Sequence, residues 1–398
     1  MPMASGQSLG HNQSTIVGYE NTNQAAQVPN ASSRPVVPSR QVQSGHRSRL
    51  ASGKITVMTR NLYLGADMES VVRAACTGDP SALVNAASIA WATVVKTNFP
   101  ARAEALAREI EQAQPLLVGL QEVSLYRTGP VDSSSGTPPN ADEVKYDYLK
   151  ILCQQLDEWG LPYRPVAVTP NFDVEFPGVT AEGLRDIRLT DRDVILALTD
   201  PGTTVLKVSN VRTTNFTRNV SLPIGQTGLS VPLTRGWGSV DVTTGGKTLR
   251  FINTHLEAYD NEVQGLQGEE ILNGPAKTDL PVILLGDFNS RADGTGTPTY
   301  GDLVRAGFKD AWIVTHRNEP GYTFGHLPDL SNMTTDGLLT KRIDLVLFRG
   351  ALNALDADVV GEELSARTPS GLWPSDHAGV VATLGWQKDR DEDDNEQG

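Results

Sequence analysis

The stretch LLGDFNS, Leu284 to Ser290, follows the apolar run Pro281, Val282 and Ile283, then breaks at Gly286 to present Asp287 and Asn289 two residues apart. Residues two apart on an extended chain share a side. A carboxylate and an amide therefore look into one space at the end of a buried strand. Five further segments begin or end apolar runs in chemistry unsuited to a plain core. KITVMTRN closes on Arg60 and Asn61, VGLQEV sets Gln121 and Glu122 after Leu120, and RFINTHLEA delivers His255 with Asn253 two residues before it. KRIDLVLF carries Asp344, and PSDHAGVV carries Asp376 and His377 just ahead of a final apolar run. Such groups carry protons or hydrogen bonds, and burying them without partners is costly.

Singly, each has an ordinary explanation. Glu122 reads as a surface or helix-cap residue, Asn61 as a turn former before Gly65, and His255 as a satisfied core histidine. Asp287 can cap a turn, and Asp376 can be an N-cap or sit in a solvated loop. Six such segments at strand termini are hard to reconcile with six separate accidents.

The elements that must position them follow from periodicity. Strands are predicted at Lys54–Thr59, Leu116–Leu120, Asp193–Thr199, Val205–Val211, Trp237–Val242, Leu249–Thr254, Pro281–Leu285, Ile343–Phe348 and Gly379–Leu384. Helices are predicted at Ala101–Ala113, where Leu106 and Ile110 lie four apart, and at Asp147–Trp159, closed by Gly160 and Pro162. Strand runs with interspersed helices suit a two-sheet α/β sandwich better than a regular parallel series. No internal repeat or second linker divides the middle of the chain.

The chain has 398 residues, enough to bury a sizeable core. Residues 1–52 are rich in Ser, Gln, Asn, Gly and Pro, and read as a disordered tail. Residues 388–398, with two basic and six acidic residues, read as an acidic disordered tail. The net charge is −13, most of it between the tails. An acidic body does not attract a polyanion over long range, which disfavours a broad nucleic-acid surface. No run of ~18 apolar residues suggests a membrane span, although peripheral membrane contact stays open. With no signal-peptide pattern, a cytoplasmic monomer is expected. Cys76 and Cys153 match no metal or disulfide spacing and are expected as free thiols.

Taken in order, TRN, LQEV, NTHLE, GDFNS, RIDLV and SDH resemble the motifs of the endonuclease/exonuclease/phosphatase superfamily, the deoxyribonuclease-I-like metal-dependent phosphoesterases. The resemblance covers roughly residues 54 to 386 and implies a four-layered α/β sandwich, two packed sheets flanked by helices, in a catalytic domain spanning 53–387. Attack on a phosphate ester needs a hard cation, a base for water and donors for developing charge. On this resemblance Glu122 ligates Mg²⁺, or Mn²⁺, with Asn61 beside it and Asp376 completing this site or a second one. Asp287 orients or deprotonates the attacking water, and Asn289 hydrogen-bonds a phosphoryl oxygen. His377 contacts the phosphate while Asp344 holds its ring, and His255 is the second phosphate-facing imidazole.

Other residues are less determined. Arg192, in LTDRDVILAL, opens a strand where the family presents a phosphate-side group, and a salt-bridged strand entrance explains it equally well. Arg235 either binds an anion or stacks on Trp237. His11, His46 and His316 read as structural or solvated, and only His326, in YTFGH, is expected near the pocket.

From Asn61 to Glu122 the chain is about twice as long as the family pattern implies. The extra segment, residues 62–100, reads as a pocket wall or an added helical layer. The stretches Arg127–Asp142 and Asn171–Leu189 read as rim loops. The favoured activity is hydrolysis of a small-molecule or lipid phosphoester by direct water attack, of the sphingomyelinase or sugar and inositol phosphate type. For the latter, Arg192, Arg235, Lys341 and Arg342 would supply a basic pocket. A DNA or RNA nuclease is the alternative. A non-catalytic binding protein is more distant, because it would lack Glu122, Asp287 or His377, and all three are present.

Overall fold

A computed structural model describes residues 53–131, 139–199, 206–223, 225–226, 230–335 and 337–387. Both predicted tails and part of the predicted loop Arg127–Asp142 lie outside the described residues. Strand β1 (Lys54–Asn61) leads into helices α1 (Glu69–Thr77), α2 (Pro80–Lys96) and α3 (Phe99–Ala113). Next come β2 (Leu117–Gln121), β3 (Leu125–Gly129), β4 (Glu143–Asp147) and helix α4 (Tyr148–Glu158), then a long hairpin of β5 (Tyr163–Thr180) and β6 (Gly183–Leu198). Strands β7 (Lys207–Asn215), β8 (Val220–Pro223), β9 (Ser230–Leu233), β10 (Gly236–Thr244) and β11 (Lys247–His255) precede helix α5 (Asn261–Asn273). The rest is β12 (Val282–Asp287), α6 (Thr299–Arg305), β13 (Lys309–Asp310), α7 (Ala311–Thr315), β14 (Asp344–Arg349), β15 (Leu352–Val360) and β16 (Gly379–Trp386).

Two large sheets result. One runs β15-β16-β1-β2-β6-β3-β4 with β5 paired to β6, and the other runs β13-β14-β12-β11-β10-β7. Alternation along β12 explains how they pack. Ile283 and Leu285 join the larger core with Val57, Val118 and Leu120 of the first sheet. Val282 and Leu284 point the other way, into a second core with Ile271 of α5 and Leu303 of α6. Asp287 continues the Ile283–Leu285 side. The carboxylate therefore emerges between the sheets, where the apolar filling stops. The mixed α/β two-sheet class predicted from the residues is the one observed.

Two close approaches fix the packing here, one between neighbouring strands β12 and β11 and one between the two sheets. A Cβ on Gly286, whose φ is +148°, would lie 1.9 Å from the carbonyl oxygen of Thr254. Only glycine fits there, which accounts for the break in LLGDFNS. A Cβ on Gly119 would lie 2.5 Å from Asn253 Oδ1. That gap admits the Asn253 side chain, which accepts from Gln121 Nε2 at 2.7 Å and donates to the Leu120 and Val194 carbonyls at 3.0 and 3.2 Å. The polar bridge satisfies groups that would otherwise be buried alone.

One prediction is corrected here. Asn171–Leu189 is not a loop but belongs to the β5–β6 hairpin, because Phe172, Val174 and Phe176 alternate with polar residues at the strand period. The extra segment 62–100 contributes two helices. Helix α2 starts at Pro80, with Asp79 accepting from Ser81 N at 2.9 Å, and packs against β5 through Ala87 and Trp91, which face Val174 and Phe176. Cys76 and Cys153 are half-buried free thiols. Among the described residues no helix is long and apolar enough to cross a membrane.

Candidate active site

Strand register assembles half of the site without help from loops. On the second sheet His255 pairs with Asp287, and Asp287 with Asp344. One rung of three strands thus presents an imidazole and two carboxylates side by side. From the first sheet, β1 and β2 run parallel with Asn61 opposite Gln121, so Asn61 and Glu122 leave the sheet at one edge. His377 lies just ahead of β16, which pairs with β1. The two edges meet over a cleft of ≈ 500 Å³ lined by Glu122, His255, Asp287, Asn289, Asp376 and His377.

The tie across the cleft is Asn61. Its Oδ1 accepts from Tyr63 N at 2.8 Å, which fixes the amide orientation. Its Nδ2 then donates to Glu122 Oε1 and Asp287 Oδ2, both at 3.1 Å. The atom facing the two carboxylates is thus a donor nitrogen, and Asn61 makes hydrogen bonds to them in this arrangement. Asn61 positions Glu122 and Asp287. Glu122, at φ +56°, is held further by Leu64 N, donating to Oε2 at 2.6 Å.

Asp287 Oδ1 accepts from Asn289 N at 2.9 Å in an Asx turn. Strand β12 ends at Asp287 and Asn289 has φ +49°, so this turn, rather than strand alternation, brings the amide back beside the carboxylate. Burial raises Asp287 to about 6, with Asp344 adding to the effect and His377 opposing it.

The two imidazoles approach Asp287 Oδ2 from different sheets, at 3.4 Å for His255 and 3.7 Å for His377. His377 Nδ1 meets Asp344 Oδ2 at 2.8 Å. Burial works against a charged ring there, yet Asp344, Asp376 and Asp287 outweigh it and lift His377 to about 10. His377 is an imidazolium at neutral pH. His255 Nδ1 lies 3.0 Å from Arg235 Nη1. A guanidinium only donates, so Nδ1 accepts and the proton of the neutral ring sits on Nε2, toward Asp287. Burial, then Arg235 and His377, push His255 well below its ordinary value. Asn289 Nδ2, 3.2 Å from that Nε2–H, meets another donor. It donates instead to Leu256 O at 3.0 Å.

Arg235 therefore anchors His255 and does not stack on Trp237; its guanidinium lies 5.9 Å from the Phe172 ring centroid. Arg192 is likewise corrected, because its guanidinium donates to Val123 O at 2.8 Å and Asp147 Oδ1 at 2.6 Å, and it does not line the cleft. Arg342 is buried against Asp310 at 2.6 Å. Of the four proposed anion-binding cations, Lys341 and Arg235 line the cleft.

Among the described residues, two acidic and histidine clusters could hold a metal: Asp287, Asp344 and His377, and Asp191, Asp193 and His255. Each already carries a positive partner. His377 is the charge of the first, and Arg235, 3.7 Å from Asp191 Oδ2, serves the second. Glu122 and Asp376 remain. Burial raises both, Asp376 to about 7, with His377 opposing in each case. Two oxygen donors destabilised as anions fit a hard divalent cation that keeps several of its waters.

Several supporting residues were missed at the sequence level. Arg60 forms a two-pronged pair with Glu109 at 2.8 and 3.0 Å and donates to the His377 carbonyl. Arg102 is buried under the cleft floor and donates to the carbonyls of Leu62 at 2.6 Å and Pro374 at 2.9 Å. Charged Arg102 and Glu109 on the same apolar face as Leu106 and Ile110 were the available signal. His326 lines the cleft as expected. Asn332, oriented by Leu327 N and Thr334 O, donates to its Nδ1, which leaves His326 Nε2–H buried without a partner among the described residues.

A sequence profile described as the Endonuclease/Exonuclease/phosphatase family matches residues 85–377. Among solved structures, a family protein from Leptotrichia buccalis C-1013-b aligns at 15% identity with a TM-score of 0.50, covering 82% of this chain and 98% of its own. One from Bacteroides thetaiotaomicron aligns at 16% identity with a TM-score of 0.51, covering 83% and 94% respectively. At these identities the structural likeness speaks to the fold. No curated protein sequence matches the chain.

Proposed function

The chain belongs to the endonuclease/exonuclease/phosphatase family of phosphoester hydrolases, and on that premise we propose that it is a Mg²⁺-dependent hydrolase of a small-molecule or lipid phosphoester. The observation that carries the mechanism is the shared oxygen of Asp287, reached by a neutral His255, a charged His377 and the Asn61 amide. A buried carboxylate near pH 6 is suited to take the proton of an attacking water. His377 supplies a fixed positive charge to the phosphoryl oxygens, and Asp344 holds its ring. Asn289 donates an amide N–H to the same group. Glu122 and Asp376 are the residues that would hold the cation, which when bound would supply neutralisation of phosphoryl charge. The water oxygen bonds to phosphorus as its proton passes to Asp287, the electron pair of the ester P–O bond leaves on the alkoxide oxygen, and that oxygen takes a proton from solvent to give the alcohol while Asp287 returns its proton to solvent.

Small-molecule or lipid substrates are favoured over nucleic acid by the acidic body and by a cleft that pairs acidic groups with few free cations. The catalytic domain spans residues 53–387. The test is a panel of p-nitrophenyl phosphate, bis-p-nitrophenyl phosphate, sphingomyelin, plasmid DNA and RNA, each with Mg²⁺ or EDTA. Metal-dependent turnover of a non-nucleic phosphoester, lost in Asp287→Ala, is expected. No turnover of any substrate, or an unchanged rate in Asp287→Ala, would reject the mechanism, and turnover confined to DNA or RNA would reject the substrate class.

A further inference from the structure

A second cavity adjoins the cleft. It measures ≈ 60 Å³ and is walled by Val71, Val72 and Ala75 of α1, Phe172, Val174 and Phe176 of β5, and Leu222, Val231 and Leu233 of the β8–β9 hairpin. That is several times the ≳ 10–15 Å³ a single water occupies. Its one charged lining residue is Arg235, whose guanidinium is already engaged by His255 and Asp191. A cavity this apolar gives water few partners and favours hydrocarbon.

Its position gives it an occupant. Leu64, Met68, Arg235 and Tyr259 line both this cavity and the catalytic cleft. A group attached to a phosphorus seated beside His255 can therefore reach the cavity past Leu64 and Met68. The wall on one side is α1, part of the extra segment 62–100, and no residue assigned above to acid–base or cation chemistry lies in the cavity apart from the anchoring Arg235. Resting on the phosphoester reading, we infer that the substrate carries a short apolar group, an alkyl segment or a single ring, on its phosphate, and that this group binds in the cavity beneath α1. The extra segment then selects the substrate, while the strand ends run the reaction.

The test uses the full chain with Mg²⁺ and a series of p-nitrophenyl alkyl phosphodiesters from methyl to octyl. Burial of each methylene is expected to raise kcat/KM by roughly three- to fourfold, up to a plateau where the cavity is full. Ala75→Phe, which fills the cavity, should collapse the hexyl-to-methyl ratio of kcat/KM toward one. Leu222→Gln, which makes one wall polar, should lower the same ratio and serves if the larger residue prevents folding, as judged by thermal unfolding. A gradient in the wild-type chain that both folded variants reduce supports the inference. Hydrolysis with no chain-length gradient, or a gradient that survives both variants, overturns it while leaving the phosphoester reading intact. No hydrolysis of any diester or monoester with Mg²⁺ overturns that reading and this inference with it.

Discussion

His255 and His377 stand 3.4 and 3.7 Å from the same oxygen of Asp287, yet they hold opposite charge states. The difference lies behind each ring. Asp344 on Nδ1 lets His377 keep its proton, whereas Arg235 on Nδ1 forbids a second proton on His255. Residue type and distance to the reacting centre are nearly matched, so the second partner decides what each imidazole contributes. One ring supplies positive charge and the other a neutral N–H.

The comparison breaks first at its shared point. Asp287→Ala removes the carboxylate that both rings face, and kcat should fall by up to ~10⁴-fold, read in steady-state kinetics on whichever phosphoester the panel identifies. A fall of less than about tenfold would mean that water is activated elsewhere. Asp344→Asn tests the charged side alone. It should lower kcat by about a hundredfold, within the range of a misplaced acid or base. It also carries a signed pH effect. Burial already opposes the proton on His377, which Asp344 and its neighbours raise to about 10. Losing Asp344 must move any alkaline limb of the rate profile to lower pH. A limb that stays in place would detach it from His377.

The neutral side is tested by stability more than rate. Arg235→Met leaves Asp191 buried without its cation, a change that typically costs about 3–5 kcal/mol, read by urea unfolding. With Nδ1 of His255 freed, its NMR titration should shift upward from its depressed position. A weaker pH test uses His326, pushed to about 3 by burial foremost, with Arg60 and His377 adding to the effect. A histidine depressed in the folded state contributes stability that is present above pH 6.5 and lost as pH falls through that value. His326→Gln should therefore flatten the stability profile between pH 6.5 and 4 relative to the wild-type chain.

The site divides by what kind of information each part needs. Strand ends were legible because an apolar run that stops in Asp, His or Glu is visible locally, and the register His255–Asp287–Asp344 follows once the strands pair. Helices α3 and α4 were predicted within two residues because their periodicity is strong. Partners drawn from distant elements were not legible. Arg235 is twenty residues from His255, Arg102 acts through carbonyls 40 and 272 residues away, and neither spacing leaves a local mark. Helix α2 escaped because the Ala-rich stretch around Trp91 has a broad apolar face rather than a stripe, whereas α1 is short and its buried stripe rests on Val71, Ala74 and Ala75, two of them small residues. Asn61 was read by residue type alone, and only the Tyr63 N–H reveals which end of its amide faces the carboxylates.

Arg192 offers the smallest effect and the sharpest separation between those two kinds of information. At the sequence level an arginine opening a strand near the site looks like a phosphate ligand. In the fold it ties Val123 and Ser124 to Asp147, the residue that caps α4. Arg192→Ala should therefore leave kcat/KM within about threefold, because it removes no group that lines the cleft. Its cost should appear as about 1 kcal/mol of stability, the scale of a weakened helix cap, measured by urea unfolding. A loss of kcat/KM tenfold or greater at unchanged stability would return Arg192 to the substrate and show that the cleft extends further along β6 than its lining residues imply.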